Sequence, residues 1–165
     1  MNDIDPSIWG PSIGRRQLCV DTSAIFAYFY PADAYHEDAR AFFAWLRDHP
    51  SVPWRMFLND YVIDELCSLL ARKSNPQTSI RALQHLRRSD ALAVYRVPDD
   101  VFEAACDSFC AFDDQTISFT DHVVAAHATH RDASVYTFDV DDFQSLGADV
   151  IPRRPDIHSG NNDGS

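Results

Sequence analysis

Leu18-Cys19-Val20-Asp21-Thr22-Ser23-Ala24-Ile25 decides how this chain is read: a short apolar run stops at a carboxylate and two hydroxyls, and a second apolar run begins at once. Gln17 to Val20 is too short for a helix and predicts a buried strand, while Ser23 to Tyr30 (SAIFAYFY) is apolar enough to begin a packed helix. Asp21 then sits at a strand tip, and in open parallel α/β sheets ligands bind where strands end and helices begin. Asp21 and Thr22 would also serve to cap that helix by accepting from its free N–H groups. The choice between the two roles turns on whether other carboxylates gather at the same place.

Outward from this stretch, helical and strand patterns alternate. Tyr35 to Asp48 carries helix-spaced Ala39, Phe42, Phe43 and Leu46, and Trp54 to Leu58 suits a second strand. Asn59 or Asp60 caps a helix to about Lys73, and Asn75-Pro76 opens another with Ile80, Leu83 and Leu86 on one face. Leu92 to Val97 (LAVYRV) is a third strand, and Asp99-Asp100 opens a helix to about Phe112. Ser118 or Thr120 starts a helix to about His130, and Val135 to Phe138 and Val150 to Ile151 are short strands. The alternation predicts an α/β fold with a twisted parallel sheet of four to five strands flanked by helices. Residues 1–16, with Pro6, Gly10, Pro11 and Gly14, read as an N-terminal extension, 17–152 as one domain, and 153–165 as a flexible C-terminal tail.

At 165 residues and 45% hydrophobic content, one domain with a full core is expected. The sequence contains neither a membrane-span pattern nor the start of a signal peptide, so a cytoplasmic protein without membrane association is expected. Cys19, Cys67, Cys106 and Cys110 lack C-x-x-C spacing and read as buried thiols rather than a zinc site or a disulfide framework. The 25 acidic residues against 14 basic ones give a formal net charge of -11, with Asp far outnumbering Glu and Lys73 the only lysine. This resembles the composition of proteins from salt-loving organisms and bears on solubility rather than fold. At about 1 M salt the Debye length is about 3 Å, so net charge does not argue against a nucleic-acid substrate.

Three further carboxylates match Asp21 in placement. On the helix from Asp60 the apolar stripe is Val62, Leu66, Leu69 and Leu70; Glu65 borders it, while Asp64 projects to the opposite side. Asp121 falls in Ser118-Phe119-Thr120-Asp121, a capping-box pattern before a helix rich in small residues. Asp139 follows the Val135–Phe138 strand as Asp21 follows the first, so both face the same crevice. Four carboxylates brought together raise one another's pKa values, and a divalent cation resolves the conflict. All-oxygen donors favour Mg2+ or Mn2+, and such ions suit phosphodiester hydrolysis.

Taken in order, V-D-T-S (20–23), N-D-Y-V-I-D-E-L (59–66), S-F-T-D-H-V-V-A-A (118–126) and Y-T-F-D-V-D-D-F (136–143) resemble a PIN-domain ribonuclease, and are most similar to VapC-type toxins. The resemblance covers about Gln17 to Pro152 and implies a PIN-like three-layer fold and a Mg2+- or Mn2+-dependent endoribonuclease. It implies Asp21, Glu65, Asp121 and Asp139 as the catalytic, metal-binding quartet, with Asp142 as a further metal ligand and Ser23 and Thr137 as supporting hydroxyls. Asp139 is favoured by the T-x-D spacing, with Asp141 and Asp142 also open as the completing acid. An RNA substrate, a homodimer and a cognate antitoxin covering the site are implied as well. Asp33 and His36 resemble the polar loop that follows the first helix. A stand-alone PIN nuclease of RNA maturation shares these motifs, and a non-catalytic PIN-like RNA- or protein-binding module would be expected to have lost acids of the quartet.

Other features read as structural. His122, His127 and His130 lack an H-E-x-x-H pattern and suit a packed or solvated helix face. Arg72, Lys73, Arg81, Arg87 and Arg88 suit a solvated surface or contacts to RNA phosphates. Phe26, Phe29, Tyr30, Phe42, Phe43 and Trp45 read as core and dimer surface. A receiver-type phosphotransfer module would need a strand-end lysine, and a haloacid-type phosphatase D-x-D.

Overall fold

β1 (Gln17–Val20) lies at the centre of the sheet, its Leu18, Cys19 and Val20 fully buried. An uninterrupted apolar run is what a strand covered on both faces requires. In the computed structural model, which describes residues 17–50, 54–113 and 116–151, the other strands are β2 (Arg55–Asn59), β3 (Leu92–Tyr95), β4 (Ala133–Tyr136) and β5 (Val150–Ile151). All pairings are parallel, in the order β3-β2-β1-β4-β5. β1 pairs β2 through Cys19 opposite Phe57, and β4 through Val20 opposite Tyr136. The five strands agree with the expected α/β sheet. The expected extension (1–16), the tail (153–165) and Pro152 lie outside the described residues.

The helices are α1 (Thr22–Phe29), α2 (His36–Asp48), α3 (Asp60–Lys73), α4 (Pro76–Arg88), α5 (Asp99–Ala111), α6 (Phe119–His130) and α7 (Val140–Ser145). Four of them, α1, α3, α4 and α6, start at a side chain that satisfies a free N–H group. Asn59 Oδ1 accepts from Val62 N at 3.1 Å at the head of α3, and Asn75 Oδ1 from Thr78 N at 2.9 Å, with Pro76 in the first turn of α4. After α7, Gly147 adopts φ +75°, a left-handed turn open to a residue without Cβ, and the chain enters β5.

α2 is pinned to the sheet by aromatic packing: the fully buried Phe42 ring stacks on Tyr136 of β4 with centroids 3.8 Å apart. α3 buries Val62, Leu66 and Leu70, leaving Glu65 half-buried and Asp64 exposed, as the helix-face argument requires. α5 packs on α6, which lies on β1 and β4 and carries the small buried residues Ala125 and Ala128.

Several expectations change. α4 buries Ala82 and Leu86, whereas Ile80 is 47% exposed, so its buried face is rotated away from Ile80. β4 begins two residues earlier than expected, because Ala133 and Ser134 are buried despite weak strand character, and α7 was not foreseen. Only Cys19 is buried; Cys67 and Cys106 are half-buried and Cys110 is exposed. His122 and His127 are packed inside, while His130 is exposed.

Candidate active site

Two adjacent parallel strands, β1 and β4, release their chains at one edge of the sheet, and the connection between them is made before any side chain is considered: Asp21 N donates to Tyr136 O at 3.0 Å. Asp21 is the N-cap of α1, with Oδ2 accepting from Ser23 N at 3.2 Å. The same oxygen accepts from Ser23 Oγ at 2.8 Å and from Thr137 Oγ1 at 2.9 Å. Those hydroxyls are oriented by the backbone behind them, since Phe138 N donates to Ser23 Oγ at 3.0 Å and Asp139 N to Thr137 Oγ1 at 2.9 Å. Each hydroxyl can thus donate its single proton to Asp21, and the two hydroxyl oxygens also lie 3.0 Å apart, within hydrogen-bond reach of one another. Oδ2 is thereby saturated. Oδ1, also buried, has no hydrogen-bond partner among the described residues. Asp21 thus caps its helix with one oxygen and leaves the other for something else.

Glu65 stands on the second turn of α3, where its Oε2 accepts from Thr22 Oγ1 at 2.7 Å. That bond ties α3 to the first residue of α1, directly beside Asp21. Asp121 is the third helical residue of α6 and completes the capping box read from the sequence: Asp121 N donates to Ser118 Oγ at 3.2 Å, and Asp121 Oδ2 accepts from Ser118 N at 2.9 Å. Ser118→Ala removes the hydroxyl half of this box and is expected to lower stability by about 1 kcal/mol, a melting decrease of roughly 2–4 °C. Thermal melts of the variant measure it, and an unchanged melting temperature would mean that the box does not hold α6 in place. Asp139 caps the N-terminus of α7 without a side-chain bond and lies exposed at the rim, with Asp141 exposed and Asp142 half-buried in the turn that follows.

Electrostatics links these acids. Burial, then the charge of Asp121, pushes the Asp21 carboxyl up to about 7. Asp121 is raised by burial, and further by Glu65 and Asp142, against the opposing hydrogen bonds from Ser118. Asp139 is raised by the part of its carboxyl turned toward protein, then by Asp121 and Asp142, with Asp33 adding to them. Asp121 is the hub, acting on Asp21 and Asp139 and acted on by Glu65 and Asp142.

Asp21, Glu65, Asp121, Asp139 and Asp142 thus feel one another's charge pairwise, mostly through Asp121, with Ser23 and Thr137 hydrogen-bonded to Asp21. Among the described residues none of the five acids is ion-paired with a Lys or Arg. Arg72, Lys73, Arg81, Arg87 and Arg88 are exposed on α3 and α4. His36, at the start of α2, has its Nδ1 2.7 Å from Ala27 O, and Asp33 Oδ1 accepts from Tyr35 N at 2.8 Å, so both hold the loop between α1 and α2. No three His, Cys, Asp or Glu side chains among the described residues close on one point as a ready-made metal cage. An orphaned buried carboxylate oxygen, an all-oxygen donor set and uncompensated negative charge nevertheless fit a hard divalent cation that keeps several of its waters. The aromatic pair Tyr35 and Phe138 beside these acids was missed in the sequence, where only Phe138's position inside the T-x-D motif could have drawn attention to it.

The sequence model of the PIN domain family matches residues 18–148. Among solved structures, the fold is similar to VapC20 of Mycobacterium tuberculosis, a sarcin-ricin loop cleaving toxin, with TM-score 0.70 and 26% identity over 84% of this chain and 99% of that one. VapBC2 from Rickettsia felis, bound to a DNA fragment from its promoter, is similar in fold at TM-score 0.62 and 11% identity, covering 81% of this chain and 96% of that one. VapBC-1 from nontypeable Haemophilus influenzae is similar at TM-score 0.60 and 20% identity, with the same coverage of 81% and 96%. No curated protein sequence matches the chain.

Proposed function

The chain belongs to the PIN domain family, and from that premise we propose that it is a Mg2+- or Mn2+-dependent endoribonuclease, the toxin of a toxin–antitoxin pair, acting at the acid cluster built on Asp21. The observation that carries the reading is the buried Asp21 Oδ1, which has no hydrogen-bond partner among the described residues and lies near carboxylates that none of the described Lys or Arg residues ion-pairs. Asp21, Glu65, Asp121 and Asp139 would hold the metal, with Asp142 at the edge of the set. Held by these residues, a divalent cation would supply Lewis acidity for activating a water and for neutralising charge on the phosphate oxygens.

The protein's own part is positioning. Ser23 and Thr137 grip Asp21 Oδ2, so Oδ1 keeps one direction without rotamer search. Thr22 holds Glu65 beside it, and Ser118 holds Asp121 by its Oδ2, leaving the other carboxylate oxygen of Asp121 to the cluster. Cleavage of the sarcin-ricin loop belongs to VapC20, one of the similar folds, and supports RNA as the substrate class here. The likeness to VapBC assemblies supports a protein antitoxin as partner, and the family resemblance supports a homodimer. Among the described residues no helix is long and apolar enough to cross a membrane, and the reading places the protein with its RNA in the cytoplasm.

Purified protein is expected to cut single-stranded RNA with Mg2+ or Mn2+ and not in EDTA, and Asp121→Asn to be inactive. Mg2+ at 100 times its dissociation constant is expected to stabilise the native state by about 2.7 kcal/mol, a melting increase of roughly 5–11 °C. Metal-independent cleavage, or an equal melting shift in a variant with all four quartet acids neutralised, would overturn the assignment.

A further inference from the structure

The acid cluster has an aromatic flank that the acids do not account for. Phe138 lies between Thr137 and Asp139, and its ring stacks on that of Tyr35 with centroids 4.5 Å apart and planes 5° from parallel. Tyr35 comes from the loop between α1 and α2, far away in sequence. Both rings are tied to the backbone that fixes the acids. Phe138 N donates to Ser23 Oγ, the hydroxyl that also grips Asp21, and the Phe138 ring meets Tyr136 edge-on at 5.7 Å. Tyr35 N donates to Asp33 Oδ1, and the charge of Asp33 is felt at Asp139. The stack is thus fixed relative to Asp139, yet Tyr35 remains 39% exposed.

Among the described residues, no Lys or Arg is ion-paired with the acids of this cluster, so none is seen beside them to hold a phosphate. Phosphate contacts through Lys and Arg are also the part of nucleic-acid affinity that salt removes. Stacking of a base on an aromatic ring is uncharged, tolerates every base because each has a π-face, and is worth binding energy without a basic groove. We propose that the Tyr35–Phe138 stack is a platform for one unpaired nucleobase of the RNA substrate, next to the phosphate presented to the acid cluster. This rests on the reading of the cluster as a ribonuclease site. Bases within a duplex are already stacked on their neighbours, so the platform selects single-stranded or looped RNA rather than a base sequence.

The test uses the full-length protein, Mg2+, and one fluorescent RNA given either single-stranded or annealed to its complement. Tyr35→Ala is expected to raise KM by about 5- to 150-fold with a much smaller change in kcat, the range that stacking of one base corresponds to. Tyr35→Trp restores KM, whereas Tyr35→Leu, which keeps bulk but has no π-face, behaves like Tyr35→Ala; the Leu and Trp proteins guard against a simple folding defect. In the cleavage-inactive Asp121→Asn background, 2-aminopurine placed in single-stranded RNA is expected to be quenched on binding, and the quench to be lost when Tyr35→Leu is added. Wild-type KM in Tyr35→Leu, or quenching that survives it, overturns the platform while leaving the ribonuclease reading intact. Failure of the wild type to cut any RNA overturns both.

Discussion

Asp21→Asn is expected to lower metal-dependent RNA cleavage by about 100-fold or more while stabilising the metal-free fold. On the proposed function, the loss in rate follows from removing the central negative charge of a site where a bound divalent cation would supply several kcal/mol of transition-state stabilisation. The gain in stability follows from the proton. In the fold Asp21 holds its proton up to a pKa of about 7, against an ordinary value of 3.8, because ionising it in the dry interior beside Asp121 is unfavourable. Its contribution to stability is full below about pH 4 and is lost as the pH rises through 7. An asparagine keeps an oxygen for Ser23 and Thr137 to donate to and has no proton to lose. Its lead over wild type in EDTA is therefore expected to widen between pH 5 and pH 8 by on the order of 2–3 kcal/mol.

His127 works in the opposite direction: buried, its pKa is lowered to about 4, so its contribution is full above about 6.5 and falls in acid. It acts on both proteins alike, and the difference between their melting curves isolates Asp21. Thermal melts at the two pH values, paired with cleavage assays in Mg2+, decide the matter. An asparagine variant that still cuts RNA would sink the assignment of Asp21, and a stability gap that does not move with pH would sink the account of its proton.

Phe42→Ala is the second large effect, and it tests the scaffold rather than the chemistry. Phe42 is fully buried and packs on Tyr136 at 3.8 Å, on Phe43 at 5.6 Å and on Trp54 at 6.3 Å between centroids. Truncating such a ring leaves a cavity and typically lowers stability by about 3–5 kcal/mol. For a chain of this size the melting temperature is expected to fall by roughly 6–20 °C. Activity is expected to fall with it at temperatures well below the melt, because Tyr136, whose carbonyl receives Asp21 N, loses its packing partner. Phe42→Leu, closer in volume, is expected to be milder than Phe42→Ala. A melting shift for Phe42→Ala no larger than that of the exposed control Gln84→Ala would contradict the role given to this ring.

The elements that sequence reveals here are those whose pattern repeats or whose ends carry a polar stop. β1 is legible because an apolar run ends abruptly at Asp21, and Glu65 because the period of α3 separates it from Asp64. Asp121 is legible as a capping residue, though its position among other carboxylates depends on how α6 lies against β1. The start of β4 is shifted because Ala133 and Ser134 pair with Gln17 and Leu18 of β1 and are buried there, which their own β propensity does not signal. α7 is six residues long, too short for a hydrophobic period to register. Burial on α4 misled in the same way: Ile80 fits the expected stripe, but the surface α3 offers is filled by the smaller Ala82 with Leu86. Tyr35 beside Phe138 is not readable from either residue, since the contact exists only once the α1–α2 loop has folded over the end of β4.

The pairing of β1 with β4 also sets a timetable. Asp21 precedes by more than a hundred residues the strand that receives its backbone N–H and the hydroxyl of Thr137 that grips it. Until Tyr136 and Thr137 have emerged, Asp21 has neither its sheet partner nor one of its two gripping hydroxyls, and Asp139 has yet to be made. Contacts this distant in sequence close late and slowly. A nascent chain that has not yet reached Tyr136 and Thr137 therefore lacks the arrangement that orients Asp21.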